Sequence, residues 1–164
     1  MGFRRFGKRA LTKTALVYAV DLLAARPYSQ KQLMAKLKQR GYEEEEIDEA
    51  IARLLQRHYL DDSDLCCRQC RMYIEERRRS LKAISYKLRE KGFASADIEN
   101  AMAENVKDAD VYEYEVCMRL LQGHFRVQSA QLQKCMAYLY RKGFNISPAR
   151  AAAEDFLAAA SEME

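Results

Sequence analysis

The chain has 164 residues, 49% hydrophobic and 32% charged, with a net charge of +4. Six Gly, two Pro and no Trp leave too few breakers for a sandwich or barrel of tight turns, and the abundance of Ala, Leu, Glu, Lys, Arg and Gln favours helix. No apolar run approaches the roughly 20 residues a membrane helix needs, no apolar signal core follows the basic start, and Phe6 stands where a myristoylation signal wants Ser or Thr, so a cytoplasmic protein is expected.

Residues 1–12 read as a basic arm: residues 1–13 hold five basic residues and no acidic one. Within it Arg4, Arg5, Lys8 and Arg9 are candidates either for phosphate contact or for a solubilising tail. Thr12 then precedes an apolar stripe at Ala15, Leu16, Ala19 and Leu23, one face of a helix. Ser29, with Gln32 three residues on, forms a capping box ahead of Leu33 and Leu37. Gly41 ends that second helix, because a residue at positive φ is needed there, and Tyr42 follows to fold back onto the apolar face. Four glutamates at 43–46 place negative charge at the start of a third helix carrying Ile47 and Ile51.

The same phrase returns twice. Gly41, Gly92 and Gly143 are 51 residues apart, each followed by an aromatic (Tyr42, Phe93, Phe144) and preceded by a basic residue (Arg40, Lys91, Lys142). Moving the first stripe by 51 lands on Cys66, Cys67, Cys70 and Ile74, then on Cys117, Met118, Leu121 and Phe125. The second helices carry Ile84 and Leu88, then Cys135 and Leu139; the third carry Ile98 and Met102, then Ala149 and Ala153. Ser80 takes the place of Ser29, Ser63 that of Thr12, and Ser147 before Pro148 reads as a cap with proline in the first turn. The spacing therefore predicts an all-α chain of three tandem three-helix repeats at 13–62, 63–110 and 111–164, stacked into an elongated, curved array.

With these residues in place, a family likeness emerges. Residues 15–65 resemble the RecX family of bacterial regulatory proteins. The resemblance lies in Leu22, Leu23 and Arg26; Ser29, Leu33 and Leu37; Arg40, Gly41 and Tyr42; and Leu60, Asp61 and Asp62. Ser80 stands where the family often has Gly. The resemblance implies a modulator of the RecA recombinase. It would bind the RecA–single-stranded DNA filament along its helical groove and inhibit ATP hydrolysis, strand exchange and co-protease activity. The alternative is a helical repeat protein that binds nucleic acid directly, without RecA.

The remaining chemistry-bearing residues weigh against an enzyme. Cys66, Cys67 and Cys70 suggest a metal or redox site, yet all five cysteines, Cys117 and Cys135 included, fall on core-stripe positions and read as small hydrophobes. Asp61 and Asp62 could hold Mg²⁺; with Ser63 they also cap a helix start, which is the reading preferred. His58 and His124 lack a nucleophile signature, and no Gly-rich phosphate loop is present. Arg77, Arg78 and Arg79, extended by Arg68 and Arg71, are the expected contact with DNA phosphate or an acidic partner face, whereas Arg89, Lys91, Arg141 and Lys142 read as a solvated face. The expectation is a monomer with no cofactor, metal or membrane partner.

Overall fold

The computed structural model describes residues 12–126 and 129–161, the side chains of 160 and 161 apart. Among the described residues there are nine helices and no strand. They are α1 (Ala15–Ala25), α2 (Gln30–Arg40), α3 (Glu44–Gln56), α4 (Asp62–Glu76), α5 (Leu81–Glu90), α6 (Ser95–Asn105), α7 (Ala109–His124), α8 (Leu132–Arg141) and α9 (Ile146–Ser161). The 51-residue register places α1, α4 and α7 in one role, α2, α5 and α8 in a second, and α3, α6 and α9 in a third. No helix among them is long and apolar enough to cross a membrane.

Packing divides the chain into two compact units. The first runs to Leu65 and includes Lys91–Phe93; the second comprises Cys66–Glu90 and the residues from Ala94 onward, so the division falls inside α4. In the first unit α1, α2 and α3 pack on one another. Ala15 and Ala19, Leu33 and Leu37, and Ile47, Ala50, Ile51 and Leu54 are buried together with Tyr28, Tyr42 and Leu60. The small Ala15 and Ala19 let α1 lie close, while the i, i+4 leucines of α2 supply bulk.

In the second unit α9 packs along α7 and α8, and α5 on α6. Cys66, Cys70, Ile84, Leu88, Ile98, Val116, Cys117, Leu121, Cys135 and Leu139 are all buried. In α9 the positions of Ile47 and Ile51 have become Ala149 and Ala153, both buried, and Phe156 restores the lost volume at the register of Leu54.

The glycines end the second helices at φ of 101° (Gly41), 90° (Gly92) and 83° (Gly143), the left-handed region that only glycine enters without strain. Gly41 N–H donates to Leu37 O at 3.2 Å and Tyr42 N–H to the same carbonyl at 3.3 Å, closing the last turn; Phe144 N–H repeats this to Leu139 O at 3.3 Å. The following aromatics, Tyr42, Phe93 and Phe144, are buried.

The first two of the second helices, α2 and α5, also carry a joint to the next glycine turn. Ser29 Oγ accepts from Gln32 N–H at 3.2 Å and donates to Lys91 O at 2.5 Å. Fifty-one residues on, Ser80 Oγ accepts from Ala83 N–H at 3.2 Å and donates to Lys142 O at 2.8 Å. A carboxylate accompanies each joint. Asp62 Oδ1 accepts from Gln30 N–H at 2.8 Å; in its register Glu113 accepts from Leu81 N–H at 3.2 Å and from Asn145 N–H at 2.8 Å. Helix N-terminal amides welcome that negative charge. Ser29, Ser80 and Glu113 are accordingly buried polar groups with every bond made.

Three helix starts differ from the sequence expectation. The cap of α1 is Thr14, whose Oγ1 accepts from Val17 N–H at 3.3 Å, not Thr12. At α4, Asp61 Oδ1 accepts from Asp64 N–H at 3.0 Å, so Ser63 lies inside the first turn and caps nothing, and Asp62 serves α2 instead. At α9, Asn145 occupies the cap position, its carbonyl accepting from Ala149 N–H at 3.2 Å; Ser147 and Pro148 are already helical. Proline forfeits no bond anywhere in a first turn, so Ser-Pro does not fix where a helix begins.

Candidate partner-binding groove

Of the cations expected from sequence to touch a partner, Arg71, Arg77 and Arg79 are engaged within the chain. Arg77, at φ 49° just past α4, pairs through Nη1 with Glu115 Oε2 at 2.8 Å. Arg79 pairs with Glu76 and lies 5.0 Å from the Tyr73 ring, and its carbonyl accepts from Tyr112 OH at 3.1 Å. Arg71 donates to Asn105 Oδ1 at 3.1 Å and pairs with Glu104 at 3.5 Å. Arg78 is exposed and joins no ion pair among the described residues; Arg68 is also exposed. Arg4, Arg5, Lys8 and Arg9 lie outside the described residues.

The cysteines sit in the core. Cys66, Cys70, Cys117 and Cys135 are buried and Cys67 half-buried, where its sulfur receives Asn105 Nδ2 at 3.2 Å. Burial pushes the Cys70 thiol up to about 11 and that of Cys117 up to about 12, and raises Cys135 as well. Thiols held protonated in this way are poor nucleophiles at neutral pH. Among the described residues no three His, Cys, Asp or Glu side chains converge as a metal site. His58 is exposed at the end of α3, and His124 stacks on Tyr138 at 4.3 Å.

A surface that sequence reasoning passed over stands out instead. Within the second unit, α5 and the turn from α8 into α9 border an open groove of about 1030 Å³. Lys82, Tyr86 and Arg89 share one face of α5 at i, i+4 and i+7, turned away from buried Ile84 and Leu88. Gly143, at φ 83°, reverses the chain so that Tyr140 and Arg141 on one side and Ile146 on the other meet the same space. Lys87 and Lys142 complete the cations, and Glu90 is the only carboxylate lining it among the described residues.

Lys82, Lys87, Arg89 and Arg141 join no ion pair among the described residues, and Lys142 Nζ lies 5.0 Å from the Tyr138 ring. Five cations against one carboxylate, Glu90, leave net positive charge along the groove, which raises the local potential and draws an anionic ligand. Tyr86, Tyr140 and Ile146 remain 59%, 71% and 66% exposed. The arrangement offers anion attraction together with apolar contact, and no nucleophile–base pair lines it.

Comparison with known proteins places the fold and the lineage. Residues 15–54 match the family model described as RecX, first three-helix domain. Regulatory protein RecX of Caldanaerobacter subterraneus subsp. tengcongensis is 30% identical over 137 residues. That alignment covers 82% of this chain and 66% of the relative, just under two thirds of its length. Regulatory protein RecX of Pseudomonas savastanoi pv. phaseolicola is 31% identical over 129 residues, 77% of this chain and 81% of the relative. The crystal structure of RecX from Lactobacillus salivarius superposes with a TM-score of 0.72 at 19% identity, covering 87% of this chain and 94% of that one, and so shares the fold. The chain belongs to the RecX family.

Proposed function

We propose that the chain regulates the RecA recombinase by binding the RecA–single-stranded DNA filament along its helical groove, inhibiting ATP hydrolysis, strand exchange and co-protease activity. Membership of a family whose relatives are named regulatory proteins carries this reading. The chemistry of the chain agrees with a ligand rather than a catalyst: four of the five cysteines are buried, and the groove of the second unit gathers exposed cations. In this reading the basic arm at 1–12 and the repeats at 13–62, 63–110 and 111–164 act as successive contact modules of a monomer working in the cytoplasm.

The test is the single-stranded-DNA-dependent ATPase of the cognate recombinase, titrated with this protein. Inhibition at or below stoichiometric ratio supports the role; an unchanged rate at that ratio overturns it. Arg77, Arg78 and Arg79 changed together to Ala are expected to weaken inhibition. Because Arg77 and Arg79 are tied to Glu115 and Glu76, Arg78→Ala alone isolates a partner contact from a structural one.

A further inference from the structure

We infer that the groove between α5 and the α8–α9 turn is a stacking site for single-stranded nucleic acid, with bases on Tyr86 and Tyr140 and phosphates on Lys82, Lys87, Arg89 and Arg141. The inference deepens the proposed role by naming what this groove takes, and it holds without the recombinase.

The repeat supplies its own control. The cations of the groove are largely part of the common register: Lys31 precedes Lys82, Lys36 precedes Lys87, Lys38 precedes Arg89, and Lys91 precedes Lys142. The exposed apolar groups are not. Tyr86 falls where the other repeats have Ala35 and Ala137; Tyr140 falls where they have Lys38 and Arg89; Ile146 falls where they have Glu44 and Ser95. The scaffold therefore folds with small or charged residues at these places. Three large apolar side chains, Tyr86 from the second repeat and Tyr140 and Ile146 from the third, have been added around one groove and left in water. Neither tyrosine hydroxyl has a hydrogen-bond partner among the described residues, so the rings are not held there by the fold.

Exposed rings beside unpaired cations match what a flexible strand presents, a base face next to a phosphate at every step. A duplex hides its base faces in the stack and would use the cations alone. An acidic polypeptide would satisfy the cations but carries no regular succession of flat apolar faces for two separate tyrosines. The openness of the groove suits a strand passing through, and the neutral outer ends of the rings tolerate any base.

The experiment is fluorescence anisotropy of a labelled 15-nucleotide oligothymidylate with the intact protein and no recombinase. Saturable binding is expected, with log K falling against log salt at a slope of about −0.7 per phosphate contacted, hence about −3 for four. Tyr86→Ala and Tyr140→Ala should each weaken binding about tenfold, whereas Tyr86→Phe with Tyr140→Phe should keep it. Arg141→Gln should flatten the slope by about 0.7. A duplex of equal length should bind more weakly and ignore the tyrosine changes. All these side chains are at the surface, and helical content by circular dichroism controls for folding.

The assignment is overturned by an absence of saturable binding at low salt or by alanine variants that bind like the parent. It is also overturned by a phenylalanine pair that fails as the alanine pair does, or by polyglutamate binding the groove with the same dependence on both tyrosines. Flat oligonucleotide titration beside intact inhibition of the recombinase ATPase removes this assignment and leaves the regulatory role; the reverse result removes the regulatory role and leaves this one.

Discussion

Glu113 is 1% exposed, and its two carboxylate oxygens hold the amides of Leu81, the first residue of α5, and Asn145, the cap of α9. Glu113→Ala removes both bonds at once and leaves two donors in a dry place. A hydrogen bond to a charged group contributes about 1.5–3 kcal/mol, and a stranded buried donor costs a similar amount. The expected loss is therefore about 3–5 kcal/mol, a large share of the roughly 5–15 kcal/mol that a folded chain has. Glu113→Gln retains one acceptor oxygen and should lose about half as much. Asp62→Ala is the internal comparison, since Asp62 accepts from Gln30 N–H from a half-buried rather than a buried position, and about 1–2 kcal/mol is expected. Urea titration followed at 222 nm gives the stabilities. Because the chain has two compact units, amide exchange at Leu81 and Asn145 locates the change. A Glu113→Ala protein within about 1 kcal/mol of the parent, or one no weaker than Asp62→Ala, would refute the claim that this carboxylate ties two helix starts together.

Alanine at the three repeat glycines should rank by what a Cβ would meet. All three carry positive φ and share a backbone cost of about 1–2 kcal/mol. Gly41 has open space, Gly143 would meet Ser80 Oγ at 3.2 Å, and Gly92 would meet Lys31 Cβ at 2.7 Å, adding about 1–3 kcal/mol of overpacking. The midpoint of thermal or urea unfolding should thus fall in the order Gly92→Ala, Gly143→Ala, Gly41→Ala, largest loss first. Thiol titration at pH 8 should find Cys67 as the one fast site and all five only after unfolding, since Cys66, Cys70, Cys117 and Cys135 are buried. Cys70 and Cys117 have folded pKa values of about 11 and about 12 against an ordinary 9.0. Their contribution to stability is complete below about pH 9, where both states keep the proton. It is lost as pH rises towards 11–12, where only the unfolded chain ionises freely. A midpoint unchanged between pH 8 and 10.5, compared with a Cys117→Ala protein, would contradict this.

The repeat was legible because its constraints are local. A helix that stops by turning into the left-handed region accepts few residues besides glycine, and Gly41, Gly92 and Gly143 mark that event on the page. The apolar stripes were legible for the same reason, being a property of each helix alone. Capping was readable to within about a turn: Ser29 and Asp61 cap, but Thr14 and Asn145 displaced Thr12 and Ser147, since several short polar residues crowd each start and tertiary partners choose among them. The groove was harder to see. Tyr86 and Tyr140 are 54 residues apart, and only the approach of α5 to the α8–α9 turn joins them. Arg141 and Lys142 read as solvent face because their register positions are polar in every copy, and Arg89 because Lys38 precedes it. The signal that was present is the mismatch between copies, Ala35 to Tyr86 and Arg89 to Tyr140. What the charge run could not show is where its counter-ions lie: on another helix for Arg77, at Glu115, and one turn back for Arg79, at Glu76.

The serine joints recognise main chain. Ser29 and Ser80 each grasp a carbonyl, at Lys91 and Lys142, whose own side chain is irrelevant to the grip. A gene segment of 51 codons copied in frame would arrive carrying both halves of this fastening, the hydroxyl before its second helix and the glycine-turned carbonyl after it, as Ser80 and Lys91 flank α5. Such a protein can gain copies without inventing a new seam, and each copy's outward residues are then free to drift towards different ligands.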